Sequence, residues 1–171
     1  TVTVETALTD TDGKVIRRAS GKLSLKPGEK KTIRQQIEIK NPKLWSPDSP
    51  YLYRVQSRVK KGNQSIDGGI TRIGIRQAEF RGKDGFWLNG KPFGQLVGAN
   101  RHQDFAYVGN ALPNSQQWRD AKRLRDAGCT IIRVAHYPQD PSFMDACDEL
   151  GMFVIVATPG WQYWNKDVKF G

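Results

Sequence analysis

FWLNGKPFGQLVGANRHQD, residues 86–104, divides the chain into two kinds of sequence. Before it the sequence is strand-like and punctuated by turns. After it, strand-like and helix-like segments alternate. At its centre, Leu96 to Ala99 read as a short buried strand, and five polar residues follow at once: Asn100, Arg101, His102, Gln103 and Asp104. A polar cluster at the exit of a buried strand is where α/β proteins keep their sites, because the strand fixes positions and the loop leaves them accessible. Read alone, Arg101 and Asp104 would also fit an exposed ion pair. Asn89-Gly90 lies between two apolar pieces and signals a type I′ turn. Residues 78–93 therefore read as a hairpin, with Phe80 and Trp87 as aromatic anchors.

On the N-terminal side, alternation of period two predicts strands over residues 1–8, 14–25, 32–39, 51–60 and 65–76. Val2, Val4, Thr6 and Leu8 share one face, and so do Tyr51, Tyr53, Val55, Ser57 and Val59. Ile33, Ile37 and Ile39 are candidate core residues. Asp10, Asp12 and Gly13 make one turn, Lys26-Pro27-Gly28-Glu29 a second and Gly62-Asn63 a third. Gly68-Gly69 interrupts the last strand. Pro42, Pro47 and Pro50 exclude regular pairing between residues 41 and 50, where Leu44 and Trp45 are expected to plug the end of a sandwich. About five strands in 76 residues suggest an immunoglobulin-like β-sandwich that lacks strands at its N-terminal end.

On the C-terminal side, a helix capped by Asn114 or Ser115 runs to about Asp126 and buries Trp118, Ala121, Leu124 and Arg125. Gly128 ends it. Residues 129–134 (CTIIRV) form a β-branched strand covered on both faces. Asp140 caps a second helix with Pro141 in its first turn. That helix buries Phe143, Met144, Cys147 and Leu150 and stops at Gly151. Residues 152–157 (MFVIVA) form the third strand. This order fits the start of either a doubly wound sheet or a (β/α)8 barrel, and both need more strands than the 171 residues supply.

The formal charge is +10, and it is uneven. Residues 1–76 hold 16 Lys/Arg and 7 Asp/Glu, a net +9, whereas residues 77–171 net +1. Basic sequence can mark a nucleic-acid surface. The positive residues here are scattered through strands and turns, without a recognition helix or aromatic RNA-binding pattern. We expect no nucleic-acid partner. No apolar run is long enough to span a bilayer, so no membrane role is expected either. The compartment stays open between periplasmic or secreted and cytoplasmic. Cys129 and Cys147 read as buried thiols, and their spacing suggests no zinc site.

Three strand exits collect the candidate site. The first carries Asn100, Arg101, His102 and Asp104. The second carries Arg133, His136 and Tyr137, and the third Trp161 with Tyr163 and Trp164. Parallel strands joined by right-handed crossovers set these exits side by side. Imidazoles, a guanidinium, a carboxylate and flat rings suit a hydroxyl-rich ligand such as a sugar, which offers hydroxyls to polar groups and C–H faces to aromatic rings. The only two histidines of the chain both fall at such exits. A zinc site from His102, His136 and an aspartate is the weaker chemistry, and no GxGxxG, Walker A or GxSxG segment is present.

Four segments together resemble glycoside hydrolase family 2, with the nearest likeness to its β-galactosidase-like members. They are LNGKPF (88–93), GANRHQD (98–104), IRVAHYP (132–138) and CDELG (147–151). The resemblance implies an immunoglobulin-like domain over residues 1–76 and the start of a TIM-barrel catalytic domain over 77–171. It implies retaining, exo-acting hydrolysis of terminal β-D-galactosides, with β-glucuronidase or β-mannosidase activity as alternatives within the family. A non-catalytic carbohydrate-binding or structural module is the alternative outside it. Retention requires two carboxyl groups about 5–5.5 Å apart, and the family's two glutamates lie on later barrel strands, beyond residue 171. No catalytic residue is therefore expected in this chain, and Glu149, near a helix end, is not a candidate. The resemblance assigns His102 and His136 to the sugar around the −1 position and Arg101 to supporting the catalytic carboxylates. Asp104, Tyr137 and Trp161 join the binding set, and Asn100 and Arg133 the supporting one. Many members carry an acidic pair at the end of the third barrel strand. Here that segment reads VATPGW (156–161), so Trp161 is expected to reshape the pocket. No cofactor is expected, though the family leaves room for a divalent or monovalent cation in the parent protein. The remaining domains of the parent chain and a homo-oligomer are the implied partners.

Overall fold

The computed structural model describes residues 1–158, which fall into two compact units. Trp161, Tyr163 and Trp164 lie outside the described residues. The first unit comprises residues 1–45 and 51–75, and the second residues 46–50 and the chain from Arg76 onward.

In the first unit, β1 (Val2–Thr9), β2 (Val15–Leu23), β3 (Tyr53–Lys61) and β4 (Gln64–Ile73) form one antiparallel sheet in the order β2-β1-β3-β4. Register puts Val2, Val4, Leu8, Ala19, Leu23, Val55, Val59, Tyr53 and Ile73 on one face, as the alternation predicts. The opposite face gathers Arg18, Lys22, Arg54, Arg58, Lys60 and Arg72, so charges that look scattered in sequence converge in space.

Residues 32–39 depart from expectation, because they form no ladder. They cross the apolar face as an extended second layer, with residues 33, 35, 37 and 39 half-buried and their neighbours exposed. Gln35 donates to Val4 O at 3.0 Å and accepts from the Thr6 hydroxyl, so side chains replace the missing ladder. The first turn is tied by Asp10, which accepts from the Asp12 and Lys14 amides.

Trp45 plugs the core as expected, at 1% exposure, and sits so close to Gly74 that a Cβ there would lie 2.9 Å from its ring. Leu44 instead is exposed. Gly68 does not interrupt β4; a Cβ there would meet Ser57 O at 2.7 Å, so the glycine permits close strand pairing.

The second unit opens with β5 (Ala78–Phe80), β6 (Phe86–Leu88) and β7 (Lys91–Pro92), a three-stranded antiparallel sheet. Asn89 (φ 53°) and Gly90 (φ 77°) form the expected turn. Phe80 is 81% exposed although its ring lies 5.1 Å from that of Phe86; Phe86 and Leu88 are the buried residues. Trp87 stacks under the Arg81 guanidinium at 3.9 Å.

Three parallel strands follow, β8 (Gly98–Arg101), β9 (Ile131–Val134) and β10 (Phe153–Val156), in the order β10-β9-β8. Helix α1 (Asn114–Asp126) connects the first two and α2 (Pro141–Leu150) the last two. These are the β/α units of an unclosed barrel, and the first unit is an incomplete immunoglobulin-like sheet, as the sequence predicts.

One sheet face packs on the helices. Ile132, Val134, Ala121, Phe143, Ala146, Cys147 and Met152 form its core. On the other face, Phe153 meets Phe86 and Phe93 in a triangle of rings 5.3–5.6 Å apart, which closes the amino-terminal end of the strands.

Helix α2 is built as expected: Asp140 accepts from the Ser142 amide at 2.8 Å, Pro141 begins the helix, and Gly151 ends it in the left-handed region. Helix α1 departs from expectation. Pro113 occupies its cap position without a side-chain bond, Asn114 is already helical, and Trp118 is 39% exposed, donating to Glu149. Its buried residues are Gln117 and Ala121.

Candidate functional site

All three strands run parallel, so their carboxyl ends share one edge. The first strand spans residues 98–101 rather than 96–99, and Asn100 and Arg101 therefore belong to it. This decides where each side chain goes, because successive residues face opposite ways. Asn100, Arg133 and Ile155 stand in one row on the open face, paired across the sheet. Below them run Gly98, Ile131 and Phe153.

Arg101 takes the other face. It is 6% exposed, and its guanidinium lies 4.0 Å above the Phe143 ring. It donates to Gln139 Oε1 at 2.6 Å, Gln117 Oε1 at 2.8 Å and Asp120 Oδ2 at 2.8 Å. Among the described residues Arg101 is thus held in a buried cluster on the helix side of the sheet. Gln117 and Gln139 escaped the sequence reading. The available signal was Gln117, one turn before Ala121 on the inward face of a helix, where an unpaired amide would be costly.

Just beyond the strand ends, His102 and His136 meet edge to face, with centroids 5.2 Å apart, and Tyr137 lies 6.4 Å from His102. The structure therefore joins both histidines and Tyr137 above Asn100 and Arg133. Asp104 is exposed in the following loop, and no contact ties it to this group among the described residues. Gln103 accepts the Asp140 amide at 3.0 Å, linking the two exit loops.

Arg133 Nη1 lies 3.1 Å from His136 Nδ1. A guanidinium has only donors, so Nδ1 must accept and the imidazole proton resides on Nε2. His136 is held below the ordinary imidazole range, first by loss of hydration, then by Arg133 and by His102. It is accordingly neutral at neutral pH and can present an Nε2–H donor to a ligand. Because the folded state disfavours protonation, the associated stability is present above the ordinary histidine pKa and fades as pH falls below it. Replacing Arg133 with Gln is expected to raise the His136 pKa and to let the proton exchange between ring nitrogens. A proton–nitrogen NMR titration of the imidazole reads both, and an unmoved titration would contradict the pairing.

The two cysteines and Glu149 are poor candidates for chemistry. Burial, helped by Asp148 and opposed by Arg101, pushes the Cys147 thiol up to about 12, so it stays protonated and inert. Cys129 is half-buried rather than buried. Among the described residues no three His, Cys, Asp or Glu side chains gather as a metal centre would need. No helix among them is long and apolar enough to cross a membrane. Glu149 lies at the C-terminal end of α2, at the opposite end of the sheet from the strand exits.

Residues 1–76 match the model described as glycosyl hydrolases family 2, and residues 80–166 match the TIM barrel domain of the same family. A β-galactosidase from Thermoanaerobacter pseudethanolicus is 46% identical over 134 residues, 78% of this chain and 18% of that protein. A β-glucuronidase from Bacteroides fragilis is 36% identical over 159 residues, 92% of this chain and 23% of that protein. Among solved structures, a glycosyl hydrolase family 2 member from Bacteroides cellulosilyticus gives a TM-score of 0.87 at 32% identity, covering 99% of this chain and 22% of that one. Parabacteroides merdae β-glucuronidase gives 0.83 at 34%, covering 92% and 19%. The chain thus spans less than a quarter of the length of each of these relatives.

Proposed function

This chain belongs to glycosyl hydrolase family 2, and from that premise we propose that it builds one wall of the sugar pocket in a larger, retaining exo-glycosidase that removes terminal β-D-galactosyl groups. The observation that carries the reading is the His102–His136 pair, edge to face at 5.2 Å, on the rim of the open sheet face. In this reading both imidazoles bond sugar hydroxyls, His136 through its Nε2–H. Tyr137 offers a second polar ring, Asp104 lies at the rim, and Trp161 supplies an apolar platform. Asn100 and Arg133 form the floor. Arg133, on the open face, takes over from Arg101 the task of holding carboxylates. The two catalytic glutamates come from outside these residues. The division into an immunoglobulin-like domain, residues 1–76, and a barrel start, 77–171, completes the proposal.

A uronide is the second reading. The Arg133 guanidinium beside the pocket suits a sugar carboxylate, and β-glucuronidases stand among the relatives. The test is turnover by the full-length protein on p-nitrophenyl β-D-galactoside, β-D-glucuronide and β-D-mannoside. The galactoside is expected to give the highest kcat/KM. Preference for the glucuronide would support the second reading, and no turnover on any substrate would overturn the enzymatic one in favour of a non-catalytic module.

A further inference from the structure

The two histidines come from different loops, and neither histidine is shown bonding to the other. Something else must set their separation. His102 lies between Arg101 and Gln103, and His136 lies three residues before Gln139. Gln139 is 7% exposed and grips Arg101 at both ends. Its Nε2 donates to Arg101 O at 2.5 Å, while its Oε1 accepts from Arg101 Nη1 at 2.6 Å. Arg101 O also accepts the Ala135 amide at 2.9 Å, immediately before His136. One residue further on, the Asp140 amide donates to Gln103 Oε1 at 3.0 Å. Both exit loops are thereby stitched together on either side of the histidine pair.

We propose that Gln139 is a positioning residue that fixes the spacing of His102 and His136 by clasping the backbone and side chain of Arg101. The inference rests on the sugar-pocket reading of that pair. An amide is the group for this task, because one planar head carries a donor and an acceptor side by side. A glutamate would lose the donor to Arg101 O, and a leucine of similar volume would lose both bonds. Displacing a binding group by a fraction of an ångström to one ångström can cost about 10- to 100-fold in rate without touching the substrate.

Gln117 supplies the control. It bonds the same guanidinium at 2.8 Å, and among the described residues no hydrogen bond ties it to the backbone of either exit loop. A purely structural role would let both Gln117→Leu and Gln139→Leu lower stability without singling out Gln139→Leu in kcat/KM of the folded protein. We expect kcat/KM of the full-length protein on an aryl β-D-galactoside to fall about 10-fold or more for Gln139→Leu, mainly in kcat, and to change little for Gln117→Leu. In the His136→Ala background, Gln139→Leu should then cost clearly less than in the parent, since one of the two groups it positions is gone. Additive losses in that double variant, or equal losses from the two glutamine variants, would overturn the clasp. Full activity in His136→Ala alone would instead overturn the sugar-pocket reading beneath it, so the two failures are distinguishable.

Discussion

Replacing Arg101 with Met is expected to destabilise the barrel unit by about 3 kcal/mol. The methionine fills much of the arginine's volume, so the loss is electrostatic. It strands the carbonyl oxygens of Gln117 and Gln139 and leaves Asp120 without its cation. Removing one partner of a buried, hydrogen-bonded charge pair commonly costs about 3–5 kcal/mol. Two features place this site at the low end. The Asp120 side chain keeps 23% of its exposure, so water recovers part of its solvation. Arg101 Nε and Gln117 Nε2 are buried without an acceptor among the described residues, so the cluster starts below its best energy. Arg101→Lys keeps the charge but cannot address three acceptors at once, and its loss should be intermediate. Urea unfolding with an unchanged slope measures the effect. A loss under about 1 kcal/mol would mean that the cluster contributes no more than a surface ion pair.

Gly98→Val is expected to be worse, costing about 3 kcal/mol or more or preventing the barrel unit from folding. Gly98 pairs with Ile131, and a Cβ there would collide with the Ile131 carbonyl oxygen and lie 2.9 Å from its Cγ2. The obstacle is backbone, which cannot rotate away, so β8 and β9 would have to separate. Gly69→Ala provides the contrast within a sheet, because a Cβ at Gly69 meets nothing within 4 Å. That variant should be neutral or slightly stabilising. Thermal unfolding of the two variants side by side separates the close approach from any general cost of replacing a strand glycine.

Much of the fold was legible because local signals agreed with one another. Ile132 and Val134 sit in a β-branched run, Asp140-Pro141 is a complete helix start, and Asn89-Gly90 admits one turn type. Residues 32–39 show the limit of periodicity. Alternation identified which side chains turn inward, but a ladder depends on a neighbouring strand that no local pattern reveals. The two-residue difference in where β8 begins did not change which residues share a face. What it moved was Asn100 and Arg101 from loop into strand, and strand geometry then sent Arg101 towards the helices. His102, His136 and Tyr137 were readable as site candidates from their place at strand exits. Gln117 and Gln139 were not, since glutamine is usually a surface residue and only the buried guanidinium explains them. The exposed Leu44 and Phe80 show the converse, that an apolar residue need not be inside.

The most direct measurement is kcat/KM of the full-length protein carrying His136→Ala, on an aryl β-D-galactoside, beside its unfolding midpoint. His136 is half-buried, at the rim of the sheet rather than in the core beneath it. Loss of the imidazole should therefore leave the midpoint nearly unchanged while kcat/KM falls about 100-fold, the scale of one donor lost from a preorganised site. A kcat/KM within about threefold of the parent, with the fold intact, would contradict the placement of His136 in the sugar pocket.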